Sequence, residues 1–195
     1  MNDRLNTSQS QRPGPKKPFA QRDAAHAPAS AGQRAALMGA LTALALVAGY
    51  IEMLVPVPVG IPGIKLGLGN IVVLFALARQ GTRPALALML AKVACSSVLF
   101  GNPQVFIFSL AGGAVSWALM ASALRSRAFS IPAVSVLGGL GHNAGQLIMV
   151  ALVLSPQVAA ANAPILAITG TLCGLVIGLT EQAVLRAIPQ GGDRA

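Results

Sequence analysis

The sequence predicts an all-α polytopic membrane protein with six transmembrane helices and both termini in the cytoplasm. Three observations support this fold class. The 195 residues are 54% hydrophobic but only 10% charged, whereas soluble domains carry about 25% charged residues. The mean hydropathy is +0.69, and apolar runs recur from residue 35 onward. A chain with so few charges has lipid rather than water as the solvent for most of its surface.

The first 34 residues differ from the rest of the chain. They are rich in Pro, Gln, Ala and basic residues, and they hold six of the fourteen Lys and Arg residues. Such a composition cannot bury a core, so we expect a disordered basic cytoplasmic tail over 1–34. The apolar run that follows lacks a convincing cleavage site, which favours a retained helix over a signal peptide. We expect a six-helix membrane domain over 35–188 and a short tail over 189–195.

Six apolar segments follow the tail, separated by turn-forming sequences. These are VPVPVGIPG, RQGTRP, FGNPQ, RSRAFSIP and SPQVAAANAP, and Pro, Gly, Asn and Ser punctuate them. The second segment is only about 21 Å long at helical rise, against about 30 Å for the hydrocarbon core. The predicted segments are 35–55, 64–78, 84–100, 104–124, 131–154 and 163–187.

The arginines that follow residue 34 fall at every second connection or after the last segment. They are Arg79 and Arg83 at the second break, Arg125 and Arg127 at the fourth, and Arg186 and Arg194 after the last segment. Cytoplasmic loops of membrane proteins carry an excess of Lys and Arg. The alternation therefore predicts that both termini are cytoplasmic and that the protein crosses the cell inner (cytoplasmic) membrane several times.

Several polar side chains lie within or beside the apolar segments, where they usually mark a site or a pair. Most fall in the middle or the predicted outer half of the helices, which predicts a cavity open to the outside. Lysines outnumber acids in this set, which favours an anionic solute. The predicted substrate-binding residues are Glu52, Lys65, Asn70, Lys92, Asn102, His142, Asn143 and Gln146.

Some of these residues also have a purely structural interpretation. Glu52 and Lys65 are suited to a salt bridge between the first two helices. The neighbours His142 and Asn143 are suited to hydrogen bonds between helices, as is common in membranes. Asn102 precedes Pro103 and is suited to cap the helix that begins there. Both interpretations remain open at the level of the sequence.

Residues that other function classes require are missing from the sequence. The chain has only five acids, which form no carboxylate pair for Mg²⁺, and we expect one of them, Glu181, to pair with an arginine. There is no G-x-x-x-x-G-K-[ST] loop for a nucleotide. The two cysteines lack the spacing of a metal site. We therefore predict no metal, no cofactor and no catalytic residue. Aromatic residues make up only 4%, which argues against nucleic acid as a partner.

Small residues recur at four-residue spacing on the first helix. Ala35, Gly39 and Ala43 form one row, and Ala36 and Ala40 form a second. Small residues let membrane helices approach one another closely. This pattern predicts either ordinary packing within the bundle or a face on which another membrane subunit docks.

Three motifs, PGIKLGLGNIVVL, SSVLFGNPQVFIFSLAGG and GHNAGQL, occur in this order. Together they resemble the Gx transporter family, whose members are often labelled heptaprenyl diphosphate synthase component I. The resemblance covers about residues 36–187. That family is in turn similar to the substrate-binding S components of energy-coupling-factor transporters. Those are six-helix proteins in which a small-residue face on helix one docks a transmembrane coupling subunit served by two ATPases.

The resemblance implies two different functions. One is a substrate-binding transport subunit that captures a small solute from the outer side and docks on a coupling subunit with ATPases. The other is a noncatalytic membrane component of a heptaprenyl diphosphate synthase, in isoprenoid or quinone side-chain synthesis, with a soluble prenyl transferase as its partner. Intramembrane polar residues without acidic pairs favour the first.

Overall fold

The computed structural model describes residues 30–54, 68–100 and 103–188, and every regular element in these ranges is an α-helix. This confirms the predicted all-α bundle. The helices are α1 (Ala31–Leu54), α2 (Asn70–Arg79), α3 (Thr82–Phe100), α4 (Pro103–Ser126), α5 (Ile131–Val153) and α6 (Pro156–Ala187).

Five of the six described helices are long and apolar enough to cross a membrane. Each of these five also exposes large hydrophobic side chains. Val98 on α3 is 86% exposed and Leu152 on α5 is 74% exposed. Apolar surface of this extent is found where lipid or a partner covers it. The chain is therefore a multi-pass membrane protein.

The short helix α2 lies inside the bundle. It has only 10 residues, or about 15 Å of helix. None of its large apolar side chains is exposed, and Val72, Val73 and Leu74 are at most 3% exposed. It packs on α3, α4, α5 and α6. Because all of its faces meet other helices, its burial rather than its length holds it in place.

Glycines let α4, α5 and α6 touch backbone to backbone. A Cβ atom added to Gly145 on α5 would lie 2.5 Å from the carbonyl oxygen of Ala111 on α4. A Cβ added to Gly139 would lie 2.5 Å from the carbonyl oxygen of Gly170 on α6. Real Cβ atoms do not occupy such positions, so these contacts require glycine. The three helices form the most closely packed part of the bundle.

The start of α6 differs from the prediction. The sequence SPQVAAANAP suggests a turn, but α6 begins seven residues before the predicted start at 163. The Ser155 hydroxyl accepts a hydrogen bond of 3.2 Å from the Val158 amide and so caps the new helix end. Pro164 lies inside the helix. Two residues before it, the Asn162 side chain donates a hydrogen bond of 2.9 Å to the Val158 carbonyl. The helix therefore continues through Pro164, supported by the cap at Ser155 and by its packing on α5.

Two side chains join helix ends on the side of the bundle that carries the arginines. The Arg79 guanidinium at the end of α2 donates to the carbonyl oxygens of Leu185 (2.8 Å) and Ile188 at the end of α6. The Trp117 indole donates a hydrogen bond of 3.2 Å to the carbonyl oxygen of Thr82, the first residue of α3. We call this side of the bundle the arginine end, and its basic residues are Arg79, Arg83, Arg125, Arg127 and Arg186.

Candidate functional site

A hydrogen-bonded polar chain links three helices at the start of α2. Asn70, the first residue of α2, is 7% exposed. Its amide nitrogen donates a hydrogen bond of 3.3 Å to the Ser116 hydroxyl on α4. Its amide oxygen accepts a long hydrogen bond of 3.4 Å from the Lys92 ammonium on α3. Asn70 therefore uses both ends of its amide, and it orients the ammonium inside the bundle.

Gly69 makes room for the lysine side chain. A Cβ atom added to Gly69 would lie 2.6 Å from the Lys92 nitrogen and 2.7 Å from its Cε atom. The same Cβ would lie 3.3 Å from the carbonyl oxygen of Ala45 on α1. Without a side chain, Gly69 lets α1, the start of α2 and the lysine stem meet at one point. This gives a physical reason for a glycine directly before Asn70.

The Lys92 side chain also lines a small polar cavity between α1, α3, α4 and α5. Glu52 and His142, each 4% exposed, reach the same cavity from α1 and α5. The remaining lining residues are Gly49, Val93, Ser96 and Ser109. The helices thus bring together three predicted site residues that are up to 90 positions apart in sequence, namely Glu52, Lys92 and His142.

The volume of this cavity limits what it can hold. It is about 20 Å³, which is enough for a water molecule. Pockets for organic ligands are typically about 300–1,000 Å³. A solute larger than a few atoms would enter only if the surrounding helices moved apart. The cavity therefore offers a carboxyl, an ammonium and an imidazole in a site that is closed in this conformation.

The neighbouring residues His142 and Asn143 point to different helices. The His142 ring lies on α4, where a Cβ added to Gly112 would be 3.0 Å from its Cε1 and Nδ1 atoms. The Asn143 amide instead donates a hydrogen bond of 2.6 Å to the carbonyl oxygen of Leu166 on α6. Asn143 therefore makes an interhelical hydrogen bond, as one of the two sequence-based interpretations expected, while His142 reaches the cavity.

Two buried residues of α5 within about one helical turn of His142, Asn143 and Gln146, carry unsatisfied polar atoms. Gln146 is 0% exposed. Its amide oxygen and nitrogen have no hydrogen-bond partner among the described residues, and neither has the amide oxygen of Asn143. A buried polar group that is left unpaired costs about 1–3 kcal/mol. These three atoms are therefore able to accept or donate to a water molecule or to a polar group of a ligand.

Two predicted site residues, Lys65 and Asn102, lie outside the described residues. The predicted docking face of α1 is described. Its five small residues are all exposed, and a Cβ added to Gly39 would meet nothing within 4 Å. The residues of α1 that turn inward are instead Leu41, Ala45, Gly49 and Glu52. The small-residue face therefore does not serve packing within the described bundle.

Glu181 was expected to pair with an arginine, and Arg79 is close enough to interact with it electrostatically. Glu181 is 2% exposed, and one of its carboxylate oxygens has no hydrogen-bond partner among the described residues. The nearest arginine of α2, Arg79, instead bonds carbonyl groups at the end of α6. Glu181 faces a cavity of about 240 Å³ whose other lining side chains are apolar, from α1, α2 and α6. Glu181 thus has Arg79 as an electrostatic neighbour, while the hydrogen bonds of that guanidinium go to the backbone carbonyls of the α6 terminus.

Sequence reasoning missed two features of this region. Ser96, Ser109 and Ser116 line the cavity or bond to Asn70, but a serine in an apolar run gives no signal of its own. Gly170, Gly174 and Gly178 form the α6 face that meets α5. Their four-residue spacing is visible in ITGTLCGLVIGLT and would have predicted this contact. No group of three or more His, Cys, Asp or Glu suited to a metal occurs within the described ranges.

Comparison with known proteins gives one match. A family model described as heptaprenyl diphosphate synthase component I matches residues 41–184, which is most of the chain. No curated protein and no solved structure matches the sequence.

Proposed function

The chain belongs to the heptaprenyl diphosphate synthase component I family, and we propose that it acts as a membrane subunit that captures a small solute. The solute would bind between α1, α3, α4 and α5. Lys92 would meet an anionic or polar group of the solute, and His142 and Gln146 would supply hydrogen bonds. Lys65 and Asn102, outside the described residues, belong to the same proposed site.

The cavity shared by Glu52, Lys92 and His142 is the observation that carries this proposal. Ionisable groups within a membrane are costly and usually functional. Here an acid, a base and an imidazole from three helices share one cavity. A salt bridge that only holds two helices together needs two residues, and it needs no cavity. The unsatisfied amide of Gln146 adds a polar group whose burial the described fold does not compensate.

We further propose that α1 docks on another membrane subunit. Its small residues face away from the bundle, so a partner helix could approach its backbone closely. The sequence has no nucleotide-binding loop, so energy for transport would come from such a partner. If the arginine end is cytoplasmic, solute enters at the other end, and the protein lies in the inner membrane.

The family description favours a second candidate function, a noncatalytic membrane component of a prenyl diphosphate synthase. Such a component would rely on a soluble prenyl transferase for its Mg²⁺-binding carboxylates. In the described residues Glu52 and Glu181 are the only acids. They line different cavities, so they do not form a carboxylate pair. The two candidates therefore differ in which partner binds and in whether a solute is present.

Native mass spectrometry of the protein, extracted gently from its own membrane, separates the two candidates. Capture predicts a water-soluble metabolite, a transmembrane coupling subunit, or both, on the protein. A stoichiometric soluble prenyl transferase without any metabolite would contradict capture and support the synthase component. The same spectrum reports both kinds of partner, so a single preparation decides between them.

If another membrane subunit docks on α1, bulky side chains on the small-residue face should weaken the binding of that subunit. The double variant Gly39→Leu/Ala43→Leu should remain folded, because both residues are exposed and a Cβ at Gly39 meets no described atom. The co-purified partner should fall by at least about tenfold, since leucines would hold the two backbones apart. The matched control is Leu152→Phe, at a site on α5 that is also exposed. Equal partner recovery in both variants would remove α1 as the docking face.

A further inference from the structure

Some guanidinium groups at the arginine end make no side-chain hydrogen bond or ion pair with the described residues. Arg125 and Arg127 are exposed at the end of α4, and the described residues form no side-chain hydrogen bond or ion pair with either of them. Arg79 is different, because it is committed to the end of α6. Glu181, the one described acid near this end of α6, is buried. Among the described residues, the guanidinium groups of Arg125 and Arg127 therefore have no anionic partner.

Two clefts open between the helices at this end. The first has a volume of about 300 Å³ and the second about 380 Å³. They share Leu77 of α2 and Leu124 of α4 as lining residues. The first cleft is completed by Thr82, Ala121, Arg125 and Arg127, and the second by Ala78, Arg79, Ile131 and Leu185. Each cleft therefore combines apolar leucines with at least one guanidinium group, and both are large enough for a small ligand.

The connection after α4 holds Arg127 in an uncommon conformation. Its φ angle is +53°, in the left-handed region that glycine and asparagine prefer. The turn around it is closed by hydrogen bonds from the Arg127 amide to the Leu124 carbonyl (3.3 Å) and from the Ala128 amide to the Ser126 hydroxyl (3.3 Å). Phe129, two residues on, is 49% exposed.

Membrane orientation alone accounts for the charge but not for the clefts. The rule that cytoplasmic loops are basic requires Lys or Arg near the helix ends, and any exposed position would serve. Arg83 and Arg186 are exposed and line neither cleft. Arg125 and Arg127, in contrast, border a cleft that Leu77, Ala121 and Leu124 also line. A guanidinium group can donate two parallel hydrogen bonds to the oxygens of one phosphate. Basic pockets between membrane helices bind anionic headgroups.

We propose that the clefts at the arginine end bind the anionic phosphate headgroup of a membrane amphiphile. Arg125 and Arg127 would bind the phosphate oxygens, and Leu77 and Leu124 would contact the first part of the apolar tail. The site is separate from the cavity that holds Lys92. It therefore stands or falls independently of solute capture.

The chain contains its own reporter for this site. Trp117 is the only tryptophan, and its indole donates to the carbonyl oxygen of Thr82, which lines the first cleft. Binding should therefore change its fluorescence. The purified full-length protein in neutral detergent is titrated with phosphatidylglycerol, with farnesyl diphosphate and with inorganic pyrophosphate. Native mass spectrometry of the same samples counts the bound molecules.

The expected result is a saturable response to one or both amphiphiles. Arg125→Gln/Arg127→Gln should weaken it by at least about tenfold, because two charge-assisted contacts are lost. Arg125→Lys/Arg127→Lys should also weaken it, although it keeps the charge that governs orientation, because lysine lacks the planar fork. A response to phosphatidylglycerol alone identifies a phospholipid as the source of the headgroup. A response to farnesyl diphosphate alone identifies an isoprenoid diphosphate.

The matched control is Arg186→Gln, which removes one charge from the same end but from neither cleft. It should leave binding within about twofold, as expected for a screened surface charge. The proposal is overturned if no amphiphile saturates, or if Arg186→Gln weakens binding as much as the double glutamine variant. Equally tight binding of inorganic pyrophosphate would also overturn it, because Leu77 and Leu124 would then contribute nothing.

Discussion

Gly145→Ala is expected to destabilise the protein strongly, although it adds only one methyl group. The added Cβ would lie 2.5 Å from the Ala111 carbonyl oxygen and 2.8 Å from the Gly112 Cα atom. Both are backbone atoms of α4, so a side-chain rotation cannot relieve the overlap. Overpacking of this kind costs about 1–3 kcal/mol, which corresponds to a fall in melting temperature of about 3–10 °C.

The measurement is the apparent melting temperature in detergent, followed by size-exclusion chromatography after heating. Gly39→Ala is the matched control, because a Cβ at Gly39 meets no described atom within 4 Å. It should leave the melting temperature unchanged or slightly raise it, since alanine favours the helix over glycine. If both substitutions lower the melting temperature equally, the backbone contact between α4 and α5 is not what makes Gly145 necessary.

The effect of Gly145→Ala should extend to the candidate site. His142 lies one turn before Gly145, and its ring also packs on Gly112 of α4. Moving α4 away from α5 would therefore shift the imidazole relative to Lys92 and Glu52. Gly113→Ala offers a comparison within α4, because its Cβ would meet the flexible end of Met89, 2.9 Å from the sulfur. That side chain can rotate, so the loss of stability should be smaller.

The fold was largely predictable because apolar runs and basic breaks are local signals. The ends of α3, α4 and α5 lie within about three residues of their predicted bounds, an error usual for such signals. The start of α6 was missed although Ser155 followed by Pro156 is also a local signal, that of a capped helix with proline in its first turn. Pro164, eight residues on, instead suggested a turn.

The candidate site was predictable in composition but not in geometry. Lys92 and His142 stood out as costly groups in apolar runs, and both line the cavity. The bond between Lys92 and Asn70 depends on the rotation of α3 about its axis, which a single sequence does not fix. Asn143 looked equivalent to its neighbour, yet one step along a helix turns a side chain by about 100°. That step directs it to α6.

Lys92→Met is expected to weaken the proposed solute capture strongly and also to destabilise the fold. Methionine has nearly the length of lysine but no charge, so the packing around Gly69 is kept. The substitution removes the donor to Asn70 and leaves the buried carboxyl of Glu52 in a cavity without the ammonium. Losing a charge-assisted contact should weaken retention of the co-purified solute by at least about tenfold. Native mass spectrometry of parallel preparations measures that loss.

A second substitution separates binding from stability. Glu52→Gln removes the opposite charge from the same cavity, so the double variant Glu52→Gln/Lys92→Met should regain part of the melting temperature lost in Lys92→Met. It should not regain the solute, because the ammonium is still missing. Purely additive changes, within about 0.5 kcal/mol, would show that the two charges do not interact. Ser97→Ala is the control on α3, since the Ser97 hydroxyl donates to the Val93 carbonyl of its own helix.

The two readouts also decide between the two candidate functions. If the protein captures a solute, Lys92→Met loses that solute in both the single and the double variant, whatever happens to the melting temperature. If the protein is a membrane component of a synthase, the cavity charges serve only the fold. The double variant would then recover stability together with its soluble partner, and no metabolite would depend on Lys92. A lysine needed only for folding is replaceable once its counter-charge is removed, whereas a lysine that binds a solute is not.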